Sequence, residues 1–566
     1  MATVLVNGQE VQLKDGEKLN AIEAAQRVGV EVPHYCWHKD LTVVASCRMC
    51  LVEVGEKKPD GTIAMQPRVV PGCQTPVKDG SVVVTDSQKA KDAQANTLEF
   101  LLLNHPLDCP VCDQAGECDL QDYSYKYGRG YSRLKDDKLQ KADKDYIGEN
   151  ITLYTDRCVM CTRCVRFTRE ISGTGELQVI NRGASAEIDV FPDKPCNNKL
   201  AGNVVDLCPV GALCSKDFLY KQRVWFLQEA DSVCPGCSTG CSITTSQNKN
   251  ILYRLKPRTN PDAQGSFMCD EGRFGFKYIN AAQRLSSPLV KTGDKHTQVL
   301  WDAVLPRLRR ELSEATSKYR SGFAVVLSPY LTVEEAYLAS AYFTGLSKDV
   351  KLVLGPVPII GEDDRYPKGP HGEAPAADKV KFTIRAEKCP NLRGVVPVID
   401  HFQDDLIEWD DFVGQVKAGT IKAVYAIGGY PDAWVSPDEV AAFSKLELLV
   451  VQDILPSALT AAAKYVLPGG SFAEKEGTFV NHNLLAQGIK RAISGPGEAR
   501  ADGRIFFDLL ERRGLFHAPT VRSEIAQAIP YFAALGRGDL GEFGQFLGKG
   551  KNTASKQPAV AAAAGS

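Results

Sequence analysis

Seventeen of the chain's eighteen cysteines lie between Cys36 and Cys269, and Cys389 alone lies beyond them. A thiol-rich half joined to a thiol-poor half calls for two different folding solutions. Disulfide frameworks belong mainly to small exported domains. This chain has 566 residues, and Met1–Gly8 lacks the basic, apolar and small-residue regions of an export signal. The cysteines are therefore expected to hold metal or to do redox work. The length exceeds one hydrophobic core, so several domains are expected. No run of about 18 apolar residues occurs, which speaks against a bilayer-spanning helix. Lys plus Arg number 67 against 69 Asp plus Glu, a net charge of −2. That balance excludes the basic excess of a nucleic-acid binder. The expectation is a soluble, cytoplasmic chain.

Periodicity places the elements. Val4 and Val6, then Val11 and Leu13, alternate around Asn7-Gly8, a strong hairpin signal. Ala21, Ile22, Ala25 and Val28 follow at helical spacing. Strands are expected at Cys50–Val54 and Ser81–Thr85, giving a compact α+β module of about 85 residues. Two further cysteine groups lie between 86 and 225, separated by the polar stretch 133–148, and a last group lies between 230 and 275. From about 290 the pattern turns to α/β. Apolar strands at Phe323–Leu327, Ala423–Ile427 and Leu446–Val451 alternate with helical segments at Val333–Phe343 and Ser457–Lys464. Residues 355–378 read as a surface loop, and 548–566 as a disordered tail.

The first group is Cys36-x10-Cys47-x2-Cys50-x22-Cys73. A close pair with two outlying thiols in a strand–helix–strand module resembles two-iron ferredoxin ligation, and zinc is the alternative. The second, His105-x3-Cys109-x2-Cys112-x5-Cys118, has three thiols and one imidazole at ligand spacing. It fits either a cluster or a Cys3His zinc site. The third, Cys158-x2-Cys161-x2-Cys164 with remote Cys208-Pro209, is the run of a bacterial two-cluster ferredoxin. Thr168 stands where the usual fourth cysteine would be. Asn198, Ala201 and Val204 stand where a second trio would be, so one four-iron site survives and Cys208 completes it. Cys196 and Cys214 are out of register and read as small buried hydrophobes. The fourth, Cys234-x2-Cys237-x3-Cys241-x27-Cys269, fits a four-iron cluster, with a zinc ribbon as the alternative.

These four groups in this order resemble the large iron–sulfur subunit of respiratory complex I, proton-pumping NADH:quinone oxidoreductase. The resemblance implies a two-iron cluster on Cys36, Cys47, Cys50 and Cys73. It implies four-iron clusters on His105, Cys109, Cys112 and Cys118, and on Cys158, Cys161, Cys164 and Cys208. The group Cys234, Cys237, Cys241 and Cys269 matches an additional four-iron cluster of some members. The C-terminal half is similar to molybdopterin oxidoreductases at Gly240-Cys241, Cys269–Phe274, Arg284–Leu289, Val466–Pro468 and Glu476–Asn481. Those enzymes carry Lys in Cys-x-Lys-Gly, where this chain has Glu271. They also need a Cys, Ser or selenocysteine on the metal, and the surroundings of Cys389 do not match. The half therefore reads as a scaffold without molybdenum or pterin.

The implied fold is multidomain α+β and α/β. A two-iron, β-grasp-like module spans 1–85, and two four-iron modules span 86–225. A four-iron domain of molybdopterin-oxidoreductase type spans 226–285, and a vestigial α/β domain spans 286–547. No Gly-x-Gly-x-x-Gly follows a strand, so NAD and flavin fall to another chain. The expected function is an electron relay, without a catalytic residue of its own, between a flavin- and NADH-binding subunit and quinone-reducing subunits. Its partners would be other hydrophilic-arm subunits, with the membrane arm contacted indirectly, on the cytoplasmic side of the inner membrane. The competing readings are the catalytic subunit of an NAD-linked formate dehydrogenase, an iron hydrogenase, and a zinc-bearing interaction scaffold. The hydrogenase would need more cysteines beyond Cys269, and Glu271 speaks against the dehydrogenase.

Overall fold

The computed structural model describes residues 2–548, so the expected disordered tail lies outside the described residues except for Gly548. The chain divides into two units. One holds residues up to Leu227 together with Arg365–Phe382, and the other holds Gln228–Asp364 and the residues from Thr383 onward.

The first unit begins with the expected hairpin. Strands Ala2–Val6 and Gln9–Leu13 pair in register Val4 to Val11. Asn7 and Gly8, at φ 46° and 82°, make the left-handed turn that suits the twist of the two strands. Val4, Val6, Val11 and Leu13 all point into the core. Ala2–Val6 also pairs in parallel with Ser81–Val84, which pairs antiparallel with Leu51–Lys57. The helix Ala21–Arg27 buries Ala21, Ile22, Ala24 and Ala25. Its N-terminus is closed by a capping box between Asn20 and Glu23, with bonds of 2.9 and 3.0 Å. This is the β-grasp-like arrangement. Beyond it regular structure is sparse: the helices Gln88–Leu102, Asp119–Tyr127, Arg163–Phe167 and Asn203–Leu207, with two short ribbons, Ile151–Leu153 on Leu213–Ser215 and Leu177–Ile180 on Glu187–Val190.

The second unit opens with an antiparallel three-stranded sheet, Gln228–Val233, Ser242–Asn248 and Ile251–Pro257. Its larger sheet has a parallel body in the order Lys351–Leu354, Phe323–Leu327, Ala423–Ile427, Leu448–Asp453, Tyr465–Pro468. Leu289–Thr292 and Lys295–Gln298 add antiparallel to the Tyr465–Pro468 edge. The central strands are apolar on both faces, as a sheet covered on both sides requires. Phe323, Val325 and Leu327 face one core with the helices Trp301–Tyr319, Val333–Leu346, Leu392–Phe402 and Asp502–Leu509. Ala324 and Val326 face another, with Trp409–Lys417, Pro437–Phe443 and Ala458–Ala462.

Several ion pairs are sealed inside this unit, Arg284 with Glu474 among them. Arg284 donates to both carboxylate oxygens of Glu474, at 3.0 and 2.7 Å, with both side chains 2% exposed. Arg284 also holds the carbonyls of Ile279 and Ile454. Removing one partner of a buried pair strands the other charge in low dielectric. Glu474→Ala should therefore lower the unfolding free energy by about 3–5 kcal/mol in chemical denaturation. Glu447→Ala, which breaks an exposed pair with Lys318, should leave the denaturation midpoint nearly unchanged by comparison.

Candidate functional site

The loop Tyr35–Met49 carries the first group between the helix and the strand of the β-grasp-like module. Cys36, Cys50 and Cys73 are buried and Cys47 is half-buried. The thiols touch in a chain, Cys47 and Cys73 against Cys36, and Cys73 against Cys50. Cys36, which receives hydrogen bonds from Cys47 and Cys73, is pulled to the acidic side, while Cys47 and Cys73 are pushed up. The Cys36 N–H also points at the Cys47 sulfur, at 3.4 Å. Ala45 and Arg48 are left-handed, at φ 50° and 60°. Such conformations are costly for residues with a Cβ and cluster where a loop serves a ligand.

The third group repeats that backbone. Met160 and Thr162 are left-handed, at φ 52° and 60°, within the run from Cys158 to Cys164, and the Met160 N–H points at the Cys158 sulfur, at 3.4 Å. Cys158, Cys161, Cys164 and Cys208 together line one small cavity. Leu153, Val159, Ile188, Val210 and Leu213 complete its apolar wall. Burial pushes the thiols of Cys158 and Cys161 up to about 12 and about 11. Metal charge is what would convert thiols so placed to thiolates. Thr168 is buried and gives its hydroxyl to the Val165 carbonyl. Ala201 and Val204 are buried apolar residues, so packing fills the half where a second trio would stand.

The fourth group is set by the three-stranded sheet. Cys234 follows its first strand, Cys241 precedes its second, and the Cys234 N–H bonds the Cys241 carbonyl at 2.9 Å. Cys269 caps the short helix Asp270–Phe274, its sulfur accepting from the Gly272 N–H at 3.4 Å. Cys234, Cys237, Cys241 and Cys269 line a second small cavity, with Glu271 on its wall. Glu271 does not stand alone there. Lys388 reaches it from 117 positions along the chain with its ammonium 2.6 Å away. Lys388 is fixed by a bond from its own N–H to Pro358, by the Tyr330 hydroxyl on its carbonyl, and by the fully buried Cys389 next to it. Cys389 therefore serves as a core anchor, and the missing local lysine is matched by one from elsewhere.

The second group is the most open. Cys112 and Cys118 are buried, whereas Cys109 is exposed and opens onto a surface cavity lined by Tyr125 and Trp225. His105 makes no direct hydrogen bond to the three thiols among the described residues. It lies instead in the field of Arg157, as Cys112 does. Burial first, then Lys138 and Arg157, depress the imidazole to about 4, which leaves it neutral at neutral pH, the form that binds metal. Arg157 is buried over the Tyr154 ring and pairs with Asp108 at 3.0 Å.

The second and third groups meet at a residue that spacing could not reveal. Gly211, three positions after Cys208, lies so close to Cys112 that a Cβ there would stand 2.2 Å from the Cys112 sulfur. The start of the helix at Asp119 is tied to the same segment, its N–H bonding Pro209 at 3.1 Å. Cys196 and Cys214 are buried, and Cys214 lies close enough to Cys208 and Cys112 for their charges to push its thiol up, after burial itself. The Cys214 thiol reaches the Gly211 carbonyl at 3.6 Å, and the Cys196 sulfur lies 3.8 Å from the Asn198 amide. Gly211→Ala must displace the Cys112 sulfur. The altered protein should fold but lose about four irons per chain on anaerobic reconstitution, read by iron analysis.

Five family profiles match the chain. A 2Fe-2S iron-sulfur cluster binding domain matches residues 1–88, and the NADH-ubiquinone oxidoreductase-G iron-sulfur binding region matches 94–133. The ferredoxin-like domain of NADH-quinone oxidoreductase subunit 3 matches 148–214. The molybdopterin oxidoreductase Fe4S4 domain matches 227–281, and the molybdopterin oxidoreductase profile matches 407–512. Each of the first four encloses one of the four groups. The G subunit of NADH-quinone oxidoreductase from Rickettsia bellii is 28% identical over 99% of this chain and 94% of its own length. The NADH-ubiquinone oxidoreductase 75 kDa subunit of Reclinomonas americana is 35% identical over 64% of this chain and 50% of its own length. The mitochondrial 78 kDa subunit of Candida albicans is 36% identical over 55% of this chain. The match spans only 42% of that subunit's length.

Proposed function

The chain belongs to the G-subunit family of NADH-quinone oxidoreductases, and we propose that it is the iron–sulfur relay of such a complex. It would take electrons from a flavin- and NADH-binding subunit and pass them toward quinone-reducing subunits. The observation that carries this reading is the clustering of thiols from distant chain positions, each set within a matched iron–sulfur region. We assign a two-iron cluster to Cys36, Cys47, Cys50 and Cys73. Four-iron clusters fall to His105, Cys109, Cys112 and Cys118; to Cys158, Cys161, Cys164 and Cys208; and to Cys234, Cys237, Cys241 and Cys269. Bound iron–sulfur clusters supply one-electron transfer. The chain's own part is to converge the ligands, keep water from the third and fourth sites with apolar walls, and aim N–H groups at the sulfurs, which tunes a potential.

No described helix is long and apolar enough to cross a membrane, in keeping with a peripheral place in a membrane-bound complex. The dehydrogenase reading is disfavoured. Cys389, the one cysteine after Cys269, is spent in the core.

Anaerobically reconstituted chain should hold about fourteen irons and essentially no molybdenum or tungsten. Alone it should show no NADH:quinone activity, acquiring it only with a flavin subunit and the quinone-reducing subunits. Near-stoichiometric molybdenum, or activity from the chain with only NADH and quinone, would overturn the relay. His105→Ala should alter one four-iron EPR signal and leave the others, since the ligand sets are separate. If every signal is unchanged, the histidine is no ligand.

A further inference from the structure

Two arginines lie between the first and third groups, and neither has a carboxylate of its own. Arg163 and Arg166 are 8% and 6% exposed. Arg166 donates from one guanidinium nitrogen to the carbonyls of both Cys36 and Cys161, the latter at 3.2 Å, and from another to Thr42 at 2.6 Å. Arg163 lines the cavity of the third group. It donates to the carbonyl of Trp37, beside Cys36, at 2.7 Å and to that of Leu207, beside Cys208, at 3.3 Å. Every acceptor is a neutral carbonyl. The Nε–H of each guanidinium is buried without a partner among the described residues.

A buried guanidinium stays charged, because arginine does not deprotonate in proteins. Removed from water, that charge needs an anionic counterpart, and carbonyl dipoles supply only part of it. The nearest carboxylates do not supply it. Glu170 is held on the Thr42 N–H and hydroxyl, at 2.9 and 2.5 Å, and Asp119 starts the helix beside Cys118; both act on the arginines through space only. Arg157 gives the contrast, since it has Asp108 at 3.0 Å. The anions left to face Arg163 and Arg166 are the cysteine sulfurs of the two sites. A cluster held by four thiolates carries net negative charge, and that charge grows on reduction.

We infer that Arg163 and Arg166 are positioning residues shared by the first and third sites. They clamp the two ligand loops together and serve as joint countercharge for the clusters assigned there. The inference rests on the ligand sets proposed above. A cation near a cluster favours its reduced state, so each arginine raises the potential of both centres. The same hydrogen bonds fix the spacing of the two loops, so electron passage between these sites depends on a pair of residues that ligate neither.

The test uses the full chain, reconstituted anaerobically with iron and sulfide, in EPR-monitored redox titration. Arg166→Gln and Arg163→Gln should each shift the two-iron midpoint and one four-iron midpoint to lower potential and leave the other two four-iron centres in place. The shifted four-iron signal should be the one that Cys161→Ala removes. Arg166→Lys keeps the charge and should restore both midpoints most of the way. It is also the variant to read if Arg166→Gln fails to retain iron. Midpoints unchanged in iron-replete Gln variants, a shift in one centre only, or an equal shift in all four would overturn the shared role. Wild-type chain lacking the two-iron signal, or the four-iron signal tied to Cys161, would overturn the ligand assignment itself, and the inference with it.

Discussion

The constraint on which the first unit depends is electrostatic. Its interior is crowded with groups that are poor choices for a core unless charge of the opposite sign arrives. Thiols, most of them buried, stand together in groups, two guanidiniums are buried beside them with carbonyls as their only acceptors among the described residues, and short helices leave much of the backbone irregular. Burial alone raises a thiol and penalises a cation. Iron bound at the proposed sites would reverse both effects, because it would make thiolates of the cysteines and so supply the anions the arginines lack. Folding and metal binding in this unit would then be one equilibrium. The loops between Cys36 and Cys50 and between Cys158 and Cys164 would accept their left-handed residues only with that contribution.

What the sequence made legible follows from how local each signal is. The hairpin was plain because Asn7-Gly8 must turn left-handed and the flanking valines alternate. Three of the parallel strands, Phe323–Leu327, Ala423–Ile427 and Leu448–Asp453, were plain because they are buried on both faces and open with uninterrupted apolar runs. Thiol spacing marked out the third and fourth groups, whose members line single cavities. The three-stranded sheet at 228–257 was missed for the opposite reason. Ser232, Ser242, Thr245 and Ser246 occupy buried positions. Thr245 bonds Ala230, and Ser242 bonds Gln487, 245 positions away. Polar residues satisfied from afar hide the alternation that betrays a strand. The helix expected over Ser457–Lys464 is shorter, Ala458–Ala462, because Ala463 turns to extended backbone before the strand at Tyr465.

The electrostatic partners were illegible for a related reason. Glu271 invited the reading that a carboxylate had replaced a needed cation, yet Lys388 arrives from another part of the fold to face it. Cysteine spacing says nothing of Arg163 and Arg166, whose contacts with Trp37 and Cys36 span 126 and 130 positions. Ligands announce themselves by spacing because a cluster is small. The charges that tune it act across space and can come from any element that reaches the same loop.

The second unit raises a further question, what occupies the carboxyl ends of the parallel strands in its α/β sheet. In open sheets of this class a crevice forms outside the carboxyl ends of the strands, and exposed backbone N–H groups there receive anionic groups. Here those ends are filled by the chain itself. Asp453, at the end of its strand, accepts the Gly429 N–H at 3.0 Å, the Ile454 N–H at 2.8 Å and the Trp434 indole at 2.8 Å. A side chain on Gly428 would stand 2.5 Å from the same carboxylate. Beside it, Gln452 takes the Tyr425 hydroxyl and donates to Asp502, and Lys475 lies between Asp502 and Glu335 at 3.1 and 2.8 Å. A carboxylate of the protein thus holds the donors that an anionic ligand would seek, within a network whose groups are already paired. Opening such a network would strand buried charges. That resistance sets these strand ends apart from an open binding cleft, whose donors must be left free for a ligand.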